Sequence, residues 1–155
     1  MTDSIQSRLD AAGIVLPAAP APVAAYVAYT VHENVVTISG QLPFKDGALT
    51  QTGLCGDTVD ADAGYAAARV CAINLLAQVA DACGGDLERV QRCLRLGGFV
   101  ASTTEFHDQP KVVNGASELI GEIFGDKGKH ARAAVGVAVL PLNASVEVEG
   151  TFVIA

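Results

Sequence analysis

Tryptophan is absent from this 155-residue chain and aromatic residues make up only 5% of it, so its core cannot be organised around large rings. Half of the residues are nevertheless hydrophobic. Ala, Val, Leu and Ile must therefore fill the interior, which suits helices packed closely on a sheet. Runs of Lys or Arg are also missing, and the net charge is −7. That excludes the basic stripe with which a protein releases counterions from a nucleic-acid backbone. It leaves room for a small anion held by one well-placed arginine. Cys55, Cys71, Cys83 and Cys93 show no C-x-x-C spacing, and His32, His107 and His130 have no companion at metal-ligand spacing. The expectation is four reduced, mostly buried thiols, no metal and no catalytic histidine. There is no G-x-S-x-G elbow, Walker loop or G-x-G-x-x-G fingerprint, so the sequence gives no sign of those nucleophilic or nucleotide-binding sites. "MTDSIQSRLDAAGIVLP" lacks the basic and apolar regions of a signal peptide. No apolar stretch is expected to reach the roughly 18–20 residues of a membrane span. A single soluble, cytoplasmic domain without membrane contact is the reading.

Along the chain, "SIQSRLDAAGI" predicts a short helix with Ile5, Leu9 and Ala12 on one face and Gly13 at its end. The Pro/Ala-rich "VLPAAPAPVAA" favours extended backbone. Two β-rich runs flank His32-Glu33-Asn34 and predict a hairpin. "QLPFKDGALTQTGLCGD" reads as loop. The longest helix is expected from about residue 57 to 83, with Ala66, Val70, Ile73, Ala77 and Ala80 on its inner face. A strand follows, with Val90, Leu94 and Leu96 on one face, Cys93 on the other, and a bulge or close approach at Gly97-Gly98. A second long helix is expected over about 110–124, with Val113, Ser117, Ile120 and Phe124 on one face. Two last strands, read as a hairpin, break at Leu140-Pro141-Leu142-Asn143. The order gives an α+β fold with helices on one face of a sheet. The other face is too apolar for water, so oligomerisation should cover it.

The chemistry concentrates near the end of the chain, in "KHARAAVGVAVLPLNASVEVEG". Arg132 opens an apolar strand in which Ala133, Ala134 and Gly136 would let a ligand approach the backbone. It reads either as a strand-end charge snorkelling to solvent or as an anion clamp. Glu147 and Glu149 share a strand face, which is either solvated or part of a cavity. In "ISGQLP", Gly40 would open backbone N–H groups to a ligand and Ser39 could bond a carboxylate, or the segment is a plain strand-end turn. Tyr26 and Tyr29 are hydroxyl donors or packing rings.

These segments resemble the RidA/YjgF family, also described as L-PSP endoribonuclease-like. The resemblance covers about residues 21–155 and rests on "AAYVAYTVHENVVTISGQLP" and, more specifically, on "ARAAVGVAVLPLNASVEVEG". Residues 1–20, the helix and Pro/Ala linker, and the extra length around "TTEFHDQPK" lie outside it, marking a longer, divergent member. The resemblance implies a chorismate-mutase-like sheet with two helices on one face, assembled as a homotrimer around a central barrel, with ligand clefts between subunits. In the best-understood branch it implies hydrolysis of reactive 2-enamine and 2-imine acids to 2-keto acids and ammonia, with no cofactor. Arg132 then falls on the arginine that clamps the substrate carboxylate, and Glu147 on the acid that orients water and shuttles protons. Tyr26, Ser39, Gly40 and Asn114 match substrate-binding positions. Ala134 stands where that branch often has cysteine and can offer only backbone groups. Two other functions remain open beside deamination: a non-catalytic module that binds a small 2-keto carboxylate, and a ribonuclease, which the acidic composition disfavours.

Overall fold

The computed structural model describes residues 3–22 and 24–155; Met1, Thr2 and Val23, the last in the Pro/Ala linker, lie outside the described residues. Ser4 caps the first helix, α1 (Ile5–Ala11), by accepting a hydrogen bond from the Ser7 amide. Gly13 adopts φ +69°, the left-handed conformation that ends a helix without steric cost to glycine. Ile5 and Leu9 are buried, and α1 lies against the third helix, where Arg8 donates to the Ile123 carbonyl at 3.2 Å.

Strands β1 (Tyr29–His32) and β2 (Val35–Gln41) form the expected hairpin, with Glu33 at φ 53° in the turn. The segment read as loop holds a small separate hairpin, β3 (Phe44–Lys45) and β4 (Ala48–Leu49), around Asp46 and Gly47. Both turn residues have positive φ, the conformation of the tightest hairpin turns. Asp60 caps the 22-residue α2 (Ala61–Ala82) by accepting from the Ala63 amide. Contrary to the sequence expectation, this helix is long and apolar enough to cross a membrane by length and composition. Its buried face instead packs into the protein core. That face is Gly64, Ala67, Ala68, Cys71, Ala72, Leu75, Leu76 and Val79. Of the stripe predicted from spacing only Ala77 is buried; the rest falls on the outer flank, with Ala66 exposed and Val70, Ile73 and Ala80 partly covered. A helix apolar nearly all round gives spacing little with which to choose a side.

Strand β5 (Val90–Ala101) follows a single 3-10 turn. Two irregularities in its pairing, at Val90/Arg92 and Cys93/Arg95, shift its alternation. Val90, Cys93 and Leu96 therefore all reach the core while Leu94 faces out, which corrects the predicted division. Each bulge inserts a residue and flips the faces that follow. Gly97 and Gly98 are sites of close approach. A Cβ on Gly98 would lie 2.4 Å from Val113, and one on Gly97 2.7 Å from the Glu149 carboxylate.

The third helix, α3 (Gln109–Phe124), buries Val112, Val113, Gly115, Ala116, Leu119, Ile120, Ile123 and Phe124. Strands β6 (Ala131–Val137) and β7 (Val146–Ile154) are not a hairpin. The sheet order is β1-β2-β7-β5-β6, with β5 between them, antiparallel to β7 and parallel to β6. The intervening turn carries Leu142 and Asn143 at φ 58° and 61°, and the strand beyond it pairs with β2 and β5 rather than with β6. α2 lies over β2 and β7, and α3 over β5 and β6. Both long helices occupy one face of the sheet, which gives the α+β architecture.

The two helices touch through small residues. A Cβ on Gly115 would lie 2.0 Å from the Tyr65 carbonyl oxygen, whereas one on Gly121, further along α3, would meet nothing within 4 Å. Gly115→Ala should therefore destabilise the fold by about 1–3 kcal/mol through overpacking. Gly121→Ala should stabilise it by about 0.5–1 kcal/mol through helix propensity. Urea midpoints that move in opposite directions at constant slope would verify the pair.

Candidate functional site

The sequence-derived site residues separate into two groups on opposite faces of the sheet. In β7 the buried positions Val146, Val148 and Phe152 face the helices, so Glu147 and Glu149 face the open side. In β6 the alternation runs the other way with respect to function: Arg132 and Ala134 face the helices, with Ala134 packed against the core. Arg132 pairs with Leu96 of β5, whereas Glu147 pairs with Phe99. One strand and one sheet thickness thus separate the two residues that the sequence suggests as partners.

The first group is built where β2 meets β7. Between Ile38 and Gln41 the register shifts, and here Gly40 faces Glu147. A Cβ on Gly40 would lie 2.0 Å from Glu147 Oε1, so glycine is what gives the carboxylate its place. Ser39 sits beside it, its amide donating to the Ala28 carbonyl and its hydroxyl to the Val27 carbonyl at 2.7 Å. That proton ties down the segment carrying Tyr26, leaving the hydroxyl oxygen free to accept. Tyr26, 46% exposed, completes the group. Together with Pro20, Leu42, Phe44 and Asn74 these residues line a cleft of about 70 Å³.

Glu147 is half-buried. Burial, and then the like charge of Glu149, push its carboxyl above the ordinary value of 4.5. Glu149 has a cation, Arg95, at 3.5 Å; among the described residues Glu147 has none. A half-buried carboxyl with a raised pKa holds and releases a proton at higher pH than an exposed one, which suits it to proton transfer with a ligand.

The second group is built on α3. Arg132 donates from one guanidinium nitrogen to Asn114 Oδ1 at 2.8 Å and Ser117 Oγ at 3.1 Å, and from another to the Pro110 carbonyl at 3.2 Å. Every one of these acceptors is neutral, and among the described residues Arg132 forms no ion pair. Its geometry is held while its charge stays uncompensated. Asn114, which the resemblance puts among the substrate-binding positions, is thus brought to the arginine. His130, which the sequence left without a role, supports the arrangement from behind. Its Nδ1 lies 2.6 Å from the Gly128 carbonyl, which can only accept, so Nδ1 carries the proton in the neutral ring. Nε2 then accepts from Ser117 Oγ at 2.9 Å, and Ser117 in turn accepts from Arg132.

Sequence reasoning also missed Asn74 and Gln78. Both are amides in an apolar helix, one turn apart, and both are buried. Asn74 donates to the carbonyls of Leu42 and Phe44, each at 3.0 Å, and Gln78 to that of Pro20 at 2.6 Å. The legible signal was the pair of amides on one helical face. The four cysteines are buried and free, with Cys93 pushed up to about 12 by burial. No group of three metal-ligating side chains occurs among the described residues.

The raised pKa of Glu147 has a measurable consequence. The folded chain holds this proton to higher pH than the unfolded chain does, so stability falls as pH rises through the folded value. Glu147→Gln removes that loss. Its melting temperature should match the wild type below the ordinary value of 4.5, exceed it as pH rises through the folded value, and hold that difference above it, as thermal melts across that range would reveal.

Comparison with known proteins locates the chain among relatives. Residues 6–151 match the family described as "YjgF/chorismate mutase-like, putative endoribonuclease". Protein TCP17 of Trypanosoma cruzi is 45% identical over 146 residues, covering 94% of this chain and 91% of that protein. A solved structure of a protein of unknown function from Agrobacterium tumefaciens superposes with a TM-score of 0.92 at 48% identity, covering 97% of this chain and 92% of that one. Another, from Shewanella oneidensis, superposes with a TM-score of 0.94 at 35% identity, covering 98% and 100%. Sequence match and superposition agree over nearly the whole length: the chain belongs to the YjgF/chorismate mutase-like family.

Proposed function

We propose that this chain hydrolyses reactive 2-imino and 2-enamino acids to 2-keto acids and ammonia, in clefts between the copies of a homotrimer. The observation that carries the reading is Arg132, held in place by three neutral acceptors and left without a counter-charge. An arginine arranged in this way suits a bidentate carboxylate supplied by a ligand. The division of the site supports the assembly. Arg132 and Glu147 lie on opposite faces of one sheet, so a cleft using both needs a second copy. The open face offers material for that contact, with Val135 exposed on the edge strand β6. Residues 21–155 form the functional domain in this reading, and residues 1–20 its N-terminal extension.

In the proposed reaction, Arg132 of one copy fixes the substrate carboxylate, with Asn114 setting the guanidinium. Tyr26, Ser39 and Gly40 of another copy line the space around the reacting carbon. An enamine first takes a proton on carbon and loses one from nitrogen to become the imine. Glu147 accepts a proton from water as the water oxygen bonds to the C=N carbon, and passes that proton to the imine nitrogen, giving the carbinolamine. Glu147 then takes the hydroxyl proton and delivers it to the amino group as the C–N bond breaks, the C=O forms, and ammonia leaves. Water is the only co-reactant, and no cofactor takes part. β6 is an edge strand, so backbone groups near Ala134 remain available to a ligand even without a thiol there. Positioning an intrinsically hydrolysable substrate supplies much of the acceleration. Such intermediates are released by pyridoxal-phosphate enzymes, and a cytoplasmic location beside them is part of the same proposal.

The bare methyl of Ala134 favours one second reading, a module that binds a 2-keto acid without turning over any imine. The family description also names ribonuclease chemistry; a net charge of −7 favours a small carboxylate over a polyanion. Ammonia release from freshly generated 2-aminoacrylate decides among these. Arg132→Ala should abolish the acceleration with the assembly intact, and Glu147→Gln should lower it by about 10²–10⁴-fold while keeping keto-acid binding. Wild-type rates equal to those of Arg132→Ala end the deaminase reading, and saturable keto-acid binding without turnover establishes the binding module.

A further inference from the structure

We infer that His130 is a positioning residue for the ligand carboxylate: through the Ser117 hydroxyl it fixes which edge of the Arg132 guanidinium is offered for binding. This inference rests on the reading of Arg132 as a carboxylate clamp and names a residue behind the clamp on which its affinity depends.

An arginine spreads its N–H donors over three nitrogens in a fixed, planar fork. In Arg132, Nη1 donates to Asn114 Oδ1 at 2.8 Å and to Ser117 Oγ at 3.1 Å, and Nη2 donates to the Pro110 carbonyl at 3.2 Å. Nη2, with one acceptor, has a second proton to give, and Nε–H has no acceptor among the described residues. These two nitrogens are neighbours along one edge of the guanidinium plane, at a spacing that matches the two oxygens of a carboxylate. The bonds that occupy Nη1 therefore decide which edge faces outward. All of the braces come from α3, so the choice of edge is made within one copy of the chain.

Of these braces Ser117 has a local alternative. A serine inside a helix can turn its hydroxyl back to the carbonyl four residues earlier, here that of Val113. His130 offers a better one. Its Nδ1 donates to the Gly128 carbonyl at 2.6 Å, which leaves Nε2 of the neutral ring as an acceptor 2.9 Å from Ser117 Oγ. The hydroxyl proton goes to Nε2, and an oxygen lone pair is turned toward Nη1 of Arg132. The ring is itself anchored. Gly128 closes a 3-10 turn, Gly125–Gly128, that is pressed onto α3: a Cβ there would lie 2.5 Å from the Ile120 carbonyl oxygen. The acceptor for Nδ1 and the hydroxyl that meets Nε2 are thus fixed to the same helix, and the imidazole spans the gap between them. His130 acts on the ligand only through Ser117 and Arg132.

The test uses the full chain as assembled. Calorimetry with pyruvate reads the clamp, and the imine released in situ from alanine by an amino acid oxidase reads turnover. His130→Asn keeps an amide near Nδ1 but nothing at Nε2, whereas His130→Gln places an amide oxygen where Nε2 accepts from Ser117. His130→Asn should raise the Kd for pyruvate by about three- to tenfold, the weight of one hydrogen bond. KM for the imine should rise likewise with kcat little changed, because the carboxylate is held alike in ground and transition states. His130→Gln should recover most of that loss. Ser117→Ala should weaken pyruvate to a similar degree, and adding His130→Asn to it should cost nothing more, since residues acting through one contact are not additive. Nitrogen-15 NMR of the wild type should show the neutral His130 ring protonated at Nδ1, a readout that needs no variant. Pyruvate binding weakened in His130→Asn and recovered in His130→Gln upholds the inference even without imine turnover, a result that ends only the deaminase reading. Equal binding by His130→Asn and His130→Gln, additive losses, or a neutral ring protonated at Nε2 overturns the role of His130 and leaves the clamp standing. Pyruvate binding absent from the wild type, or unchanged in Arg132→Ala, overturns the clamp and the inference together.

Discussion

The contact between Gly115 and the Tyr65 carbonyl sets how closely the two long helices lie, and both halves of the candidate site inherit their geometry from it. α3 carries Asn114, Ser117 and the Pro110 carbonyl, which together orient Arg132. α2 carries Asn74 and Gln78, which hold the walls beside Glu147. Moving either helix outward by the width of a methyl would shift one set of anchors relative to the sheet they serve. With few aromatic rings available to bridge gaps, this protein relies on glycine and alanine to bring backbone close to backbone. Stability and site geometry therefore depend on the same small residues.

Much of this arrangement is legible in the sequence. The first hairpin, α1 with its terminal glycine, the two long helices and the one-sided placement of those helices follow from spacing and turn residues. The inner stripe of α2 does not, because a helix apolar nearly all round offers no contrast. Nor do the core positions of β5: a bulge adds one residue, and the alternation that spacing counts is then out of phase beyond it. Arg132 and Asn114 are each picked out by the family resemblance, but the contact between them is not legible from their spacing. What spacing cannot reveal is that Arg132 and Glu147 face opposite ways. That depends on β5 lying between β6 and β7, a long-range choice made by no local residue.

The separation of the two half-sites gives the family resemblance physical content. A chain that held both on one face could bring its arginine against its own glutamate and neutralise both. Here the sheet keeps them apart, one braced by neutral acceptors and the other raised toward a protonated state by burial and Glu149. Each half is chemically unsatisfied in its own way, and the proposed 2-imino acid substrate, anionic at one end and electrophilic beside it, would answer both.

The order of the last strands also bears on how the chain reaches its fold. β6 and β7 are neighbours in sequence, both apolar and joined by a short link, so a local hairpin between them is the quickest pairing to form. It is also a wrong one, since it would occupy the edges that β5 needs. Leu142 and Asn143 hold left-handed backbone in the connecting turn at a local conformational cost. What keeps β6 and β7 apart is the long-range pairing of both with β5, which lies between them in the sheet.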